Sequence, residues 1–112
     1  MQYIYFQLIA GELVVAPLNT ESKVGDPTYL NCSTNITSRE IFWYHGRNYI
    51  YVGDPTGILE PYRDRFEIDS SASDGSHNLV IHSVEPGDAG EYICIDDDGL
   101  GARRSAELVV LG

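Results

Sequence analysis

Few side chains in this 112-residue chain have the types needed for reaction chemistry, and their spacing narrows what that chemistry is. Cys32 and Cys94 stand 62 residues apart. Thiols serve as nucleophiles, metal ligands or the halves of a disulfide. His45, His77 and His82 are candidate general bases, but they fall on different predicted elements. No Gly-x-Ser-x-Gly elbow accompanies them, and the same scatter leaves zinc without a ligand cluster. Asp96-Asp97-Asp98 is the one dense acidic run. Three carboxylates suit calcium, yet no glycine-spaced loop of alternating ligands surrounds them. No catalytic residue, metal or cofactor is therefore expected. Asn31-Cys32-Ser33 and Asn35-Ile36-Thr37 are N-x-Ser/Thr sequences, which makes Asn31 and Asn35 candidate glycosylation acceptors. Asn35 is the better of the two, because Asn31 is followed by a cysteine within a predicted strand.

Short strands must position these residues. Turn formers punctuate the chain at Pro17, at Gly25-Asp26-Pro27 and at His45-Gly46-Arg47-Asn48, and no long helical periodicity appears. Strands are predicted over 12–15, 28–33, 40–44, 49–52, 65–68, 78–82 and 105–110, with 57–62 long enough for another. Side chains alternate along a strand. Leu30, Cys32, Ile41, Trp43, Ile50, Val52, Leu79, Ile81, Ala106, Leu108 and Val110 then face one way, and Tyr29, Asn31, Phe42, Tyr44, Tyr49 and Tyr51 the other. Residues 1–11 read differently. Met1 to Ala10 is apolar and uncharged, as in a leader remnant or an appended segment, but its alternation also suits an extra strand at a sheet edge.

Cys32, Trp43 eleven residues later, and Asp88-Ala89-Gly90-Glu91-Tyr92-Ile93-Cys94 together resemble the immunoglobulin superfamily. The resemblance covers roughly residues 12–111. It implies an all-β fold: a two-sheet antiparallel immunoglobulin-like sandwich of variable type, with about nine strands, forming a single domain over 12–112. It also implies an inter-sheet disulfide between Cys32 on strand B and Cys94 on strand F, with Trp43 packed against it. Such a bridge contributes roughly 4 kcal/mol through the loop it closes. Tyr92 would return its hydroxyl to the backbone, and Arg65 and Asp88 would pair to close one end. Two departures point to intermediate-set features. The connection between the strands at 40–44 (C) and 49–52 (C′) is short and lacks the usual Gln and Pro-Gly, and no aromatic precedes Gly99-Leu100-Gly101.

Such domains bind partners. The disulfide implies an oxidising compartment, so the domain is expected outside the cell, secreted or on the surface. No stretch is long and apolar enough to span a membrane, so attachment would come only from an anchor elsewhere in a longer parent. The net charge of −10, from 17 acidic against 7 basic residues, repels nucleic acid and anionic lipid. It favours either a well-solvated surface or steering toward a basic partner, with Asp97 and its neighbours as the steering group. With Cys94 inward, Ile93 and Ile95 join Phe42, Tyr44, Tyr49 and Tyr51 on the outside of the sheet formed by the last strand, 105–110 (G), with strands F, C and C′. A solvated sheet face is usually polar, whereas aromatic residues are enriched at interfaces. The expected function is recognition or adhesion, self-associating through that face or pairing with another protein of the superfamily. The alternative is an immune-type module binding a foreign or heterologous target through its loops. A glycan on Asn31 would cover the opposite sheet.

Overall fold

The computed structural model describes residues 13–35, 41–71, 74–96 and 103–112. The expectations for residues 1–11 lie outside that set. Among the described residues ten strand segments form: β1 (Leu13–Val15), β2 (Thr20–Lys23), β3 (Thr28–Leu30), β4 (Ser33–Thr34), β5 (Ile41–His45), β6 (Asn48–Tyr51), β7 (Phe66–Ser71), β8 (Ser76–Ile81), β9 (Gly90–Asp96) and β10 (Arg103–Leu111). Segments β3 and β4 both pair with β8 in one continuous register and are halves of a single strand B, which makes nine strands. One sheet carries β1, β3/β4, β8 and β7, and the other runs β2-β10-β9-β5-β6. All pairings are antiparallel except β2 with β10. Pro17, which has no backbone donor, separates β1 from β2 and lets the first strand serve both sheets.

The expected strand at 57–62 does not form. That segment keeps a single bridge, Tyr51 to Ile58, and one further bond from the Leu59 N–H to the Ile50 carbonyl at 2.8 Å. Pro55 and Pro61 remove ladder donors, and Gly57 adopts φ +71°, a turn conformation. The ninth strand is therefore β2.

Between the sheets, Cys32 and Cys94 are bonded, with Cα atoms 6.7 Å apart. Trp43, Leu30, Ile41, Ile50, Leu79, Ile81, Tyr92 and Leu108 fill the surrounding core and are essentially inaccessible. The Trp43 indole donates to the His77 carbonyl at 2.8 Å, so its one polar atom is satisfied. Strand B breaks at Asn31-Cys32, where the Cys32 N–H donates to the Asn78 side-chain oxygen (3.0 Å).

The end of the sandwich is closed by Tyr92, whose hydroxyl donates to the Asp88 carbonyl at 2.6 Å. Arg65 donates to both Asp88 carboxylate oxygens (2.8 and 2.7 Å), and the Glu85 N–H donates to one of them (2.8 Å). Burial pushes the Asp88 carboxyl up, but the Arg65 and Glu85 bonds outweigh it and hold it below its ordinary value. A carboxyl depressed in the folded state contributes fully above its unfolded pKa of about 4 and loses that contribution as pH falls through the folded value. Urea unfolding should therefore show stability falling below about pH 4. Arg65→Ala should cost about 2 kcal/mol at neutral pH and shrink the acid-dependent loss. An acid profile unchanged by Arg65→Ala would show that other carboxylates carry it.

Candidate partner-binding face

The pairing of β5 with β9 sets Phe42 opposite Ile95, Trp43 opposite Cys94 and Tyr44 opposite Ile93. Because Trp43 and Cys94 point into the core, the pleat turns the flanking pairs outward. On β10, Arg103 sits opposite Ile95 and Ser105 opposite Ile93, while on β6 Tyr49 sits opposite Tyr44. Two rows therefore cross the outer face: Tyr49, Tyr44, Ile93, Ser105, and beside it Phe42, Ile95, Arg103. One step toward the closed end, Glu91 faces Glu107, so the apolar rows give way to paired carboxylates.

A tight hairpin fixes the edge of this face. Only Gly46 and Arg47 separate β5 from β6, and Gly46 takes φ +60° at the first loop position, as a two-residue type II′ hairpin requires. The Tyr44 and Tyr49 rings then lie 4.3 Å apart, tilted, with the Tyr44 hydroxyl donating to the Tyr49 hydroxyl at 3.1 Å. Burial and that hydroxyl contact raise the Tyr44 pKa, while the charge of Arg103 opposes the rise. The two rings hold each other in place, which limits the ordering cost of any contact they make.

Tyr49 is 46% exposed, and Phe42, Tyr44 and Ile95 are half-buried. Two expected members are not exposed on this face. Tyr51 is only 4% exposed and packs in the core. The β5–β6 register slips between Trp43 and Tyr44, inserting Ile50 as a bulged residue, so Tyr51 pairs with inward-facing Trp43. Ile93 keeps its outward phase but is 7% exposed, hemmed on a central strand between Tyr44 and Ser105. It forms the floor of the face. The acidic run also changes character. Asp96 ends β9, is 1% exposed and accepts from the Thr34 hydroxyl at 3.2 Å, so it is not a solvated steering group. Asp97 lies outside the described residues.

Arg103 was missed by sequence reasoning, which began the last strand at 105. The Arg103-Arg104 pair ahead of an alternating run was the available signal. Asn31 and Asn35 are both exposed, on or beside the opposite sheet. The histidines occupy three unrelated places. His45 stacks on Tyr92 (4.3 Å), His77 is buried beside the Gly75 carbonyl, and His82 lies 3.0 Å from Glu67.

Among solved structures, the chain superposes on Dpr1 IG1, from its complex with DIP-eta IG1, with a TM-score of 0.77 over 92% of this chain and 98% of that one, at 17% identity. The fold is that of an immunoglobulin domain. The immunoglobulin domain of the RIG-5 IG1 homodimer matches with a TM-score of 0.77 over 92% and 99% of the two chains at 14% identity, and titin domain I10 with 0.71 over 91% and 99% at 18% identity. In sequence, this immunoglobulin-like chain is 28% identical to human interleukin-1 receptor accessory protein-like 1 over 80% of its length. It spans 14% of the length of that relative, and the chimpanzee protein matches equally. No family model matches the sequence.

Proposed function

We propose that the chain is an extracellular recognition domain of the immunoglobulin superfamily that pairs with a second copy of itself through the outer face of β2-β10-β9-β5-β6. The observation that carries this reading is the aromatic surface formed by Phe42, Tyr44 and Tyr49 with Ile95, on a face where pleat alternation normally supplies polar residues. Dpr1 IG1 was solved bound to DIP-eta IG1 and RIG-5 IG1 as a homodimer, and these pairs support a partner of the same kind. The strand set suits a variable-type domain with intermediate-set features: β6 extends the second sheet as in variable domains, and no strand follows it before β7. The buried disulfide supports an oxidising, extracellular location.

Sedimentation equilibrium over a range of concentrations tests the pairing. Two copies of net charge −10 repel at long range, so screening by added salt should tighten the association. A basic heterologous partner would show the opposite dependence. A monomeric mass at every concentration and salt would overturn self-association.

A further inference from the structure

Where the chain crosses from β1 to β2 beside strand B, Val15, Leu18 and Tyr29 are left in solvent, Leu18 with 77% and Tyr29 with 61% of its surface exposed. With Ala16, Thr20 and Asn31 they line one hollow of about 190 Å³. Tyr29 and Asn31 are two residues apart on strand B, with Leu30 and Cys32 buried in alternation, so both side chains leave on the same side. The hollow is mixed in character, with apolar carbon from Val15, Leu18 and Tyr29 beside the polar side chains of Thr20 and Asn31, as a ligand with one apolar and one polar face requires. The wall of this hollow already contains an acceptor amide, that of Asn31, with Ser33 completing its N-x-Ser sequence.

We propose that Asn31 carries an N-linked glycan whose first N-acetylglucosamine lies in this hollow against Tyr29 and Leu18. A pyranose ring has an apolar face of C–H groups that stacks on an aromatic ring, and its hydroxyl and acetamido groups reach Thr20 and water. Covalent attachment at the rim gives the sugar a high effective concentration, so a weak stacking contact suffices to hold it. In the transfer, the Asn31 Nδ2 loses one proton and bonds to the anomeric carbon of a lipid-linked oligosaccharide pyrophosphate. The bond from that carbon to the phosphate oxygen breaks, and the lipid pyrophosphate leaves. Ser33, whose hydroxyl belongs to the acceptor sequence, is only 7% exposed once β4 has formed, and neighbouring Cys32 is fully buried in its bridge. The transfer therefore precedes closure of the sandwich. The inference rests on the extracellular location proposed above and not on self-association. Its consequence is that the glycan screens the sheet bearing strand B and leaves the opposite face for protein contact.

The full chain, secreted from glycosylating animal cells behind a supplied leader, is digested and its glycopeptides are weighed. Asn31 should be occupied in most chains, and Asn31→Gln should lose that glycan while still being secreted with Cys32 and Cys94 bonded. Endoglycosidase trimming at Asn31 should run severalfold faster in Tyr29→Ser than in the parent. Bare Asn31 in secreted, bridged chains overturns the site, and equal trimming rates overturn the docking of the sugar. Bare Asn31 in chains that still dimerise leaves the recognition reading standing. Occupied Asn31 in chains that stay monomeric sinks self-association and leaves this inference intact.

Discussion

Replacing Cys32 and Cys94 together by alanine should lower the free energy of unfolding by about 4 kcal/mol. The bridge closes a loop of 62 residues, and the entropy it removes from the unfolded chain grows with the logarithm of that length. Both cysteines are fully buried among Trp43, Leu30 and Leu79, so the lost sulfur atoms also leave poorly filled space. Domains of this size have total stabilities of only about 5–15 kcal/mol, so the double variant should sit near the edge of folding. Urea unfolding followed by Trp43 fluorescence reads the difference. Reduction of the parent should reproduce most of it. A loss below about 1 kcal/mol would mean that the core alone holds the sheets together.

The second large effect concerns association. Tyr44→Ala and Phe42→Ala should each weaken self-association about thirtyfold, from roughly 2 kcal/mol for truncating a central aromatic anchor and 1.4 kcal/mol per decade in dissociation constant. Tyr44→Phe keeps the ring and loses only the hydroxyl bond to Tyr49, so its effect should be much smaller. Tyr51→Ala separates surface from core, because Tyr51 is buried opposite Trp43. It should lower the unfolding midpoint, where Tyr44→Ala should leave it nearly unchanged. Equal loss of stability in both would place Tyr44 in the core's account and not the interface's.

Much of this was legible in the sequence because period-2 alternation needs only one anchored residue per strand. Cys32, Trp43 and Cys94 anchor the strands of the core, and the inward sets Leu30/Cys32, Ile41/Trp43 and Tyr92/Cys94 follow directly. Tyr92 and the Arg65–Asp88 pair were readable for a similar reason, since the residue types state their bonding needs. What was not legible came from departures from that period. The bulge at Ile50 turns Tyr51 inward, and nothing in Tyr49-Ile50-Tyr51-Val52 announces it. Ile93 has the outward phase but is covered by its lateral neighbours, which alternation does not describe. Asp96 reads as loop because carboxylates are rarely buried, yet Thr34 supplies a hydrogen bond inside the sandwich.

Concentration-dependent amide NMR shifts test the central claim most directly, because they show where copies touch as well as whether they do. On going from dilute to concentrated protein, the shifts should cluster at Phe42, Tyr44, Tyr49, Ile95 and Arg103, the two rows that cross the outer face of β6, β5, β9 and β10. Shifts gathered instead at Tyr29, Glu67 and Asp69 on the opposite sheet, or none at any concentration, would contradict it.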